Sequence, residues 1–180
     1  MVKILLDFDA DVHQRTLGNF FRPNDQRKLF KKLHRLIETN YEGNFYLGEY
    51  PLSFAACLNQ KDCVRILKAH GADLNKQDSN GNTALHMLVI HNNLTMIKFM
   101  IELRADFTIK NHFGLTPFLL SAKLAKKEIF HFLFNIKRNK LLVYADIACG
   151  AFPLEDFDSI KIDGHTNEKS ALHLVVNGVI

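Results

Sequence analysis

Cysteine is scarce in this 180-residue chain, with Cys57, Cys63 and Cys149 only. These form neither an even set nor a C-x-x-C pair, so neither a disulfide framework nor a cysteine zinc site is indicated, and a reducing cytosol fits. Long apolar runs are missing too. Arg65, Lys68, His86, Lys98 and Glu102 break up the candidate stretches before the roughly 18 residues needed to cross a bilayer. The opening Met1-Val-Lys-Ile-Leu-Leu-Asp7 meets an acidic residue after a very short apolar run and has no small-residue cleavage site, so it does not read as a signal peptide. The net charge of +4 is modest, whereas nucleic-acid modules concentrate far more basic charge on one face, so no nucleic-acid partner is expected. There is no glycine-rich phosphate loop and no Gly-x-Ser-x-Gly elbow. His91, His112 and His131 lack a carboxylate or cysteine at ligand spacing, and Cys57 sits in an Ala-Ala-Cys helix face as a buried thiol. The expectation is a non-enzyme with no cofactor and no metal.

What is present is a pattern at a spacing of 33 residues: Tyr50-Pro-Leu-Ser-Phe-Ala-Ala56, Thr83-Ala-Leu-His-Met-Leu-Val89 and Thr116-Pro-Phe-Leu-Leu-Ser-Ala122. A second pattern keeps the register, with Val64-Arg-Ile-Leu leading to Gly71-Ala-Asp-Leu and Ile97-Lys-Phe-Met leading to Arg104-Ala-Asp-Phe. Repeats of this length and wording are ankyrin repeats, each a turn followed by two helices. The fold class expected is therefore an all-α ankyrin-repeat solenoid of antiparallel helix pairs.

Each unit reads physically. Asp78-Ser-Asn-Gly81 makes a turn, Thr83 starts a helix that His86 reaches back to cap, and Leu85, Leu88 and Val89 share one face. Pro51 and Pro117 stand at first-helix starts, where a missing N–H costs nothing. Gly71 suits a left-handed helix end; Arg104 and Asp9 take that place in other units, so those ends are expected to be less well capped. Residues 2–13 align position by position with 64–75, which makes the start of the chain the second helix of a repeat. Ser170-Ala-Leu-His-Leu-Val-Val176 restarts the first-helix pattern, after a β-leaning stretch around Leu141–Leu154 closed by Gly150 and Pro153. The organisation expected is a half repeat over 1–15, a finger insertion over 16–49, repeats over 50–77, 78–110 and 111–138, an irregular insertion over 139–164 and a half repeat over 165–180. Val2, Ile4, Leu5, Leu172, Leu174 and Val175 are expected to be sticky, and the chain to be a fragment of a longer protein.

The irregularities carry a more specific likeness. Gly18-Asn-Phe-Phe-Arg-Pro23, Phe45-Tyr-Leu-Gly-Glu-Tyr-Pro-Leu-Ser-Phe-Ala-Ala-Cys57 and Gln77-Asp-Ser-Asn-Gly-Asn-Thr-Ala-Leu-His86, with Tyr144-Ala-Asp-Ile-Ala-Cys-Gly150 and Leu154-Glu-Asp-Phe-Asp-Ser-Ile160, resemble the cytosolic ankyrin domain of vanilloid-type transient receptor potential cation channels. Glu38-Thr-Asn-Tyr-Glu-Gly43 and His86-Met-Leu-Val-Ile90 are similar to the invertebrate sensory branch that includes Nanchung and Inactive. The resemblance implies the second half of repeat two through the first half of repeat six. It further implies a tetrameric, calcium-permeable channel with other channel subunits as partners, and a location on the cytosolic face of the plasma membrane. Membrane contact would come only through parts of the protein outside this chain. No nucleotide-binding residue carries over, because the key part of that surface in vertebrate members precedes Met1.

Within the insertion, Asn24 to Glu38 spaces Leu29, Phe30, Leu33, Leu36 and Ile37 helically, with Arg27, Lys28, Lys31, Lys32 and Arg35 over much of the rest. Such a basic amphipathic helix suits calmodulin or an anionic surface; the alternative is a loop whose apolar side packs on the adjacent repeat. The aromatics Phe20, Phe21, Tyr41, Phe45, Tyr46 and Tyr50 cluster around it, either as interface anchors or as closure for the base of the insertion. Candidate partner-binding residues are Phe20, Phe21, Arg27, Lys28, Lys31, Lys32, Arg35, Tyr41, Phe45 and Tyr46. A second basic group, Lys126, Lys127, Lys137, Arg138 and Lys140, reads as a solvated face.

Overall fold

The computed structural model describes residues 1–18, 21–29, 39–41, 46–144, 147–151, 154–160 and 165–177. It forms two compact units, Met1–Gly114 and Leu115–Ile180. The first holds α1 (Val2–Asp7), α2 (Asn24–Leu29), α3 (Pro51–Cys57), α4 (Lys61–Ala69), α5 (Ala84–Ile90) and α6 (Leu94–Glu102). The second holds α7 (Pro117–Lys123), α8 (Lys127–Lys137), the strands β1 (Asn139–Tyr144) and β2 (Ile147–Ala151), and α9 (Ala171–Asn177). The all-α ankyrin-repeat class is what the chain adopts, with one two-stranded hairpin added.

Three residues separate the helices in each of the pairs α3/α4, α5/α6 and α7/α8, and the middle one is always left-handed: Asn59 (φ 59°), Asn92 (φ 54°) and Ala125 (φ 52°). Each reversal closes with the same two hydrogen bonds, for example Asn92 N–H to the Val89 carbonyl and Asn93 N–H to the Leu88 carbonyl. These satisfy carbonyls that a helix end otherwise leaves without partners. Second helices end the same way. Ala72 N–H reaches the Leu67 carbonyl at 3.0 Å beyond Gly71 (φ 88°), and Ala105 N–H reaches the Met100 carbonyl at 3.0 Å beyond Arg104 (φ 73°). Asp9 (φ 59°) does likewise after α1. The expectation of weaker caps at Arg104 and Asp9 is therefore corrected: the hydrogen bonds form, and the difference is confined to the backbone strain of a side chain at positive φ.

First helices start as their sequences imply. Pro51 and Pro117 open α3 and α7, Thr116 Oγ1 accepts from Leu119 N–H, and Thr83 with His86 completes a reciprocal capping box. In α5 burial extends beyond the expected stripe, since Ala84 through Val89 are all buried, with α3 and α6 packed against the helix. Gly81 (φ 74°) sits so close to the next turn that a Cβ there would lie 2.6 Å from the His112 backbone nitrogen. Gly48 (φ 83°), one repeat earlier, approaches Ser53 equally closely. Among the described residues no helix is long and apolar enough to cross a membrane.

In the second unit α8 runs through Arg138, which is extended (ψ 116°), straight into β1. The β1/β2 pairing is antiparallel with an irregularity between Lys140 and Leu142. Phe118, Phe130, Phe134 and Phe157 form a chain of ring contacts, and α9 packs on α7. Lys137 departs from the solvated face expected of its basic group. Its ammonium is paired with Asp156 in a largely buried bridge and lies 4.9 Å from the Phe118 ring centroid. A lysine at the helix end is thus used to pin the segment after β2 back onto α8.

Because Arg104 is exposed and its cost lies in the backbone, Arg104→Gly is expected to stabilise the chain by about 1 kcal/mol in urea unfolding while Arg104→Ala stays near the parent. A loss with glycine would contradict this account of the helix end.

Candidate functional site

The insertion is fastened to the repeats by side chains that are polar and buried. Asp25, in the first turn of α2, accepts from the Thr39 hydroxyl at 2.8 Å and the Asn40 N–H at 3.0 Å, so one carboxylate links α2 to residues 39 and 40. The next residue, Gln26, makes a reciprocal pair of amide bonds with Asn80, both 3.1 Å. Tyr46 lies at the centre. Its hydroxyl donates to Asp78 Oδ2 at 2.6 Å and accepts from the side-chain amides of Asn82 at 2.7 Å and Asn80 at 3.1 Å. Its ring stacks on Tyr41, and its carbonyl accepts from His91 Nε2 at 2.6 Å. Asn111 carries the chain of bonds onward to Asn82 and Tyr41. Among the described residues every buried side-chain nitrogen or oxygen has a partner, as an interior polar cluster requires.

Burial shapes the protonation of this cluster. Asp78 is pushed up to about 6, because desolvation outweighs the hydrogen bonds from Tyr46 and from the Asn82 and Asn80 backbones. The Tyr46 hydroxyl is held well above its ordinary range by burial and by the adjacent Asp78. Beside it, Glu49 accepts from Arg15 Nε at 2.6 Å and from both the N–H and the hydroxyl of Ser79. Arg15 is raised in turn, chiefly by its hydrogen bond to Glu49. Cys57 is pushed up to about 12 by burial, which keeps it a thiol at neutral pH and unfit as a nucleophile. No cluster of three metal-ligating side chains occurs among the described residues.

Next to this base an apolar groove of about 510 Å³ opens along α3, with Val2 of α1 and Leu67 of α4 on its walls. Phe21 enters it from the insertion beside Pro51, Phe54 and Leu58. Phe54 and Leu58 are exposed. An apolar recess with almost no polar lining suits a nonpolar face of another polypeptide.

The structure separates the predicted site residues. Tyr41 and Tyr46 are buried at the base of the insertion, and Phe21 lines the groove. Arg27 Nε donates to the Arg22 carbonyl at 2.9 Å. Lys28 lies in α2, while Phe20, Lys31, Lys32, Arg35 and Phe45 fall outside the described residues. Phe54, Leu58 and Pro51 were not singled out from the sequence as site residues. The 33-residue register could not have found Phe54, since it sits where Met87 and Leu120 are buried and only the fold leaves it exposed.

A family model described as ankyrin repeats (3 copies) matches residues 22–111. Over 98% of its length the chain is 34% identical to Transient receptor potential cation channel subfamily V member 5 of Oryctolagus cuniculus. It is 31% identical to subfamily V member 6 of Homo sapiens, again over 98%, and 30% identical to human member 4 over 97%. The chain spans 23%, 22% and 21% of those relatives, respectively.

The raised Asp78 makes a signed prediction. Its folded pKa exceeds its unfolded value, so the folded state binds the proton more tightly, and its contribution to stability falls as pH rises from about 4 to about 6. Compared with Asp78→Asn, the parent chain should lose on the order of 2 kcal/mol across that window in urea unfolding. A relative gain on raising the pH would contradict the burial argument.

Proposed function

The chain belongs to the ankyrin-repeat family, and from that premise we propose that it is the protein-contact region of a vanilloid-type transient receptor potential channel subunit. The observation that carries this reading is the extent of the likeness. Identity of 34% to a channel of that subfamily extends over 98% of this chain, so the alignment takes in the insertion and the displaced last repeat as well as the repeats. On this reading the chain is a non-catalytic module on the cytosolic face of the plasma membrane. It supports assembly or gating of a calcium-permeable tetramer by holding neighbouring subunits.

The physical basis is a division of labour. Short helices packed in pairs supply a scaffold, and the insertion, tied down by Gln26 and Tyr46, holds Phe21 at the edge of the groove. A partner would be gripped by apolar contact, since the groove offers little but carbon. The strings 38–43 and 86–90 favour the invertebrate sensory branch, Nanchung-like and Inactive-like. A free-standing ankyrin adaptor is the alternative on fold alone.

Sequencing the transcript beyond Ile180 tests the channel reading. A linker followed by about six hydrophobic stretches of roughly 20 residues is expected. A stop codon, or further repeats and nothing else, favours the adaptor.

Regulation by calmodulin is a second reading, favoured by the helical start at Asn24–Leu29 and the basic residues that follow. A peptide of residues 24–38 is expected to bind calcium–calmodulin at roughly micromolar affinity. Absence of binding at that level removes this reading and leaves the channel reading intact.

A further inference from the structure

The Asn80-Gly81 pair lies where the insertion meets the repeats, and we propose that it is a latent modification site guarded by the insertion. While the insertion is docked, Asn80 is held as an amide; once it lifts, Asn80 deamidates and the insertion cannot seat again. This inference does not rest on the channel reading.

Asparagine followed by glycine is the pair most open to this chemistry, because no Cβ on the second residue obstructs ring closure. The Gly81 nitrogen gives up its proton and attacks Asn80 Cγ. A new C–N bond forms, the Cγ–Nδ2 bond breaks, and the side-chain nitrogen leaves as ammonia, giving a succinimide. Water then opens the ring to aspartate or isoaspartate. The sum is amide plus water to acid plus ammonia, so the step calls for no oxidant or cofactor.

Ring closure needs a Gly81 N–H free to ionise and an Asn80 side chain free to swing over that nitrogen. The docked state withholds both. Gly81 N–H donates to the Asp78 carbonyl at 2.9 Å, and the Asn80 carbonyl accepts from His112 N–H at 3.1 Å, so the repeats hold the turn. The Asn80 side chain is 3% exposed. Its Oδ1 accepts from Gln26 Nε2, and its Nδ2 donates to Gln26 Oε1 and to the Tyr46 hydroxyl, all at 3.1 Å. Gln26 and Tyr46 both belong to the insertion. The repeats thus fix the backbone of the pair, while the insertion fixes the amide that would react.

The turn itself does not call for asparagine here. The 33-residue register puts Leu47 and Phe113 at this position in the neighbouring turns, each before a left-handed glycine, Gly48 (φ 83°) and Gly114 (φ 75°), as Asn80 stands before Gly81 (φ 74°). What asparagine adds is a donor and an acceptor side by side, which is what Gln26 requires opposite it. The residue that seats the insertion is therefore also the labile one.

The same geometry makes conversion one-way. A carboxylate at position 80 has no N–H to offer Gln26 Oε1 or the Tyr46 hydroxyl, and it adds a charge beside the buried pair of Asp78 and Tyr46. Isoaspartate also adds a methylene to the main chain, which shifts the carbonyl that receives His112 N–H.

Mass spectrometry of the proteolytic peptide carrying Asn80, after prolonged incubation of the 180-residue chain at mildly alkaline pH, tests the proposal. Conversion in the parent should be slower by about tenfold or more than in an unstructured synthetic peptide of residues 75–85. Gln26→Ala removes two of the three side-chain bonds and should speed conversion about tenfold, and Tyr46→Phe, which removes the third, should speed it as well. Circular dichroism checks that both variants stay folded. Leu133→Ala opens a cavity in the second unit, away from the insertion, and should leave conversion at the parent rate. Asn80→Asp, made directly, should raise amide hydrogen exchange over residues 21–29 and 39–41 by about tenfold. Equal rates in the parent and the peptide overturn the guard. So do folded Gln26→Ala and Tyr46→Phe chains that convert no faster than the parent, or a Leu133→Ala chain that converts as fast as they do, which would indicate global unfolding. Parent-like exchange in Asn80→Asp overturns the one-way step.

Discussion

No first helix in this chain can hold itself together. The helices α3, α5 and α7 have seven residues each, two turns, and helices that short are unstable in water unless another surface buries them. Every other feature answers to that constraint. The reversals must be tight, or the partner helix would be too far away to help. Asn59, Asn92 and Ala125 accept left-handed geometry because only it turns the chain within three residues while still satisfying the last carbonyls. The turn glycines serve the same end, with Gly81 allowing one turn to press directly on the backbone of the next.

The same constraint accounts for the polar character of the insertion's base. The turn residues that the stack brings together, Asp78, Asn80 and Asn82, are polar, and the described part of the insertion is attached to them through hydrogen bonds that are costly to leave unmade. Asp78 illustrates the balance: its carboxylate is desolvated enough to be pushed up to about 6, yet it receives Tyr46 O–H and two backbone N–H groups that hold the turn in shape. Tyr46 is useful there because a single hydroxyl both donates to Asp78 and accepts from Asn80 and Asn82. A phenylalanine of similar size would fill the space and take the hydroxyl away from Asp78 Oδ2 and the Asn82 side-chain amide, while Asn80 would keep its bond to Gln26.

Repetition made the helices legible. The spacing of 33 residues marked where α3, α5 and α7 begin, and the Gly71 register marked where second helices end. The β-leaning letters of 141–154 anticipated extended structure after α8, and the pairing of two strands there came only with the fold. Side-chain partnerships across long separations were not legible. Nothing local in Lys137 distinguishes it from the solvated lysines around it, because its partner Asp156 lies beyond the hairpin. Likewise Tyr46 reads as one aromatic among several, and only folding brings Asp78 and Asn82 to its hydroxyl. Arg104 shows the limit in the other direction: residue preference predicted a poorer helix end, while the demands of the stack imposed the same backbone geometry as at Gly71.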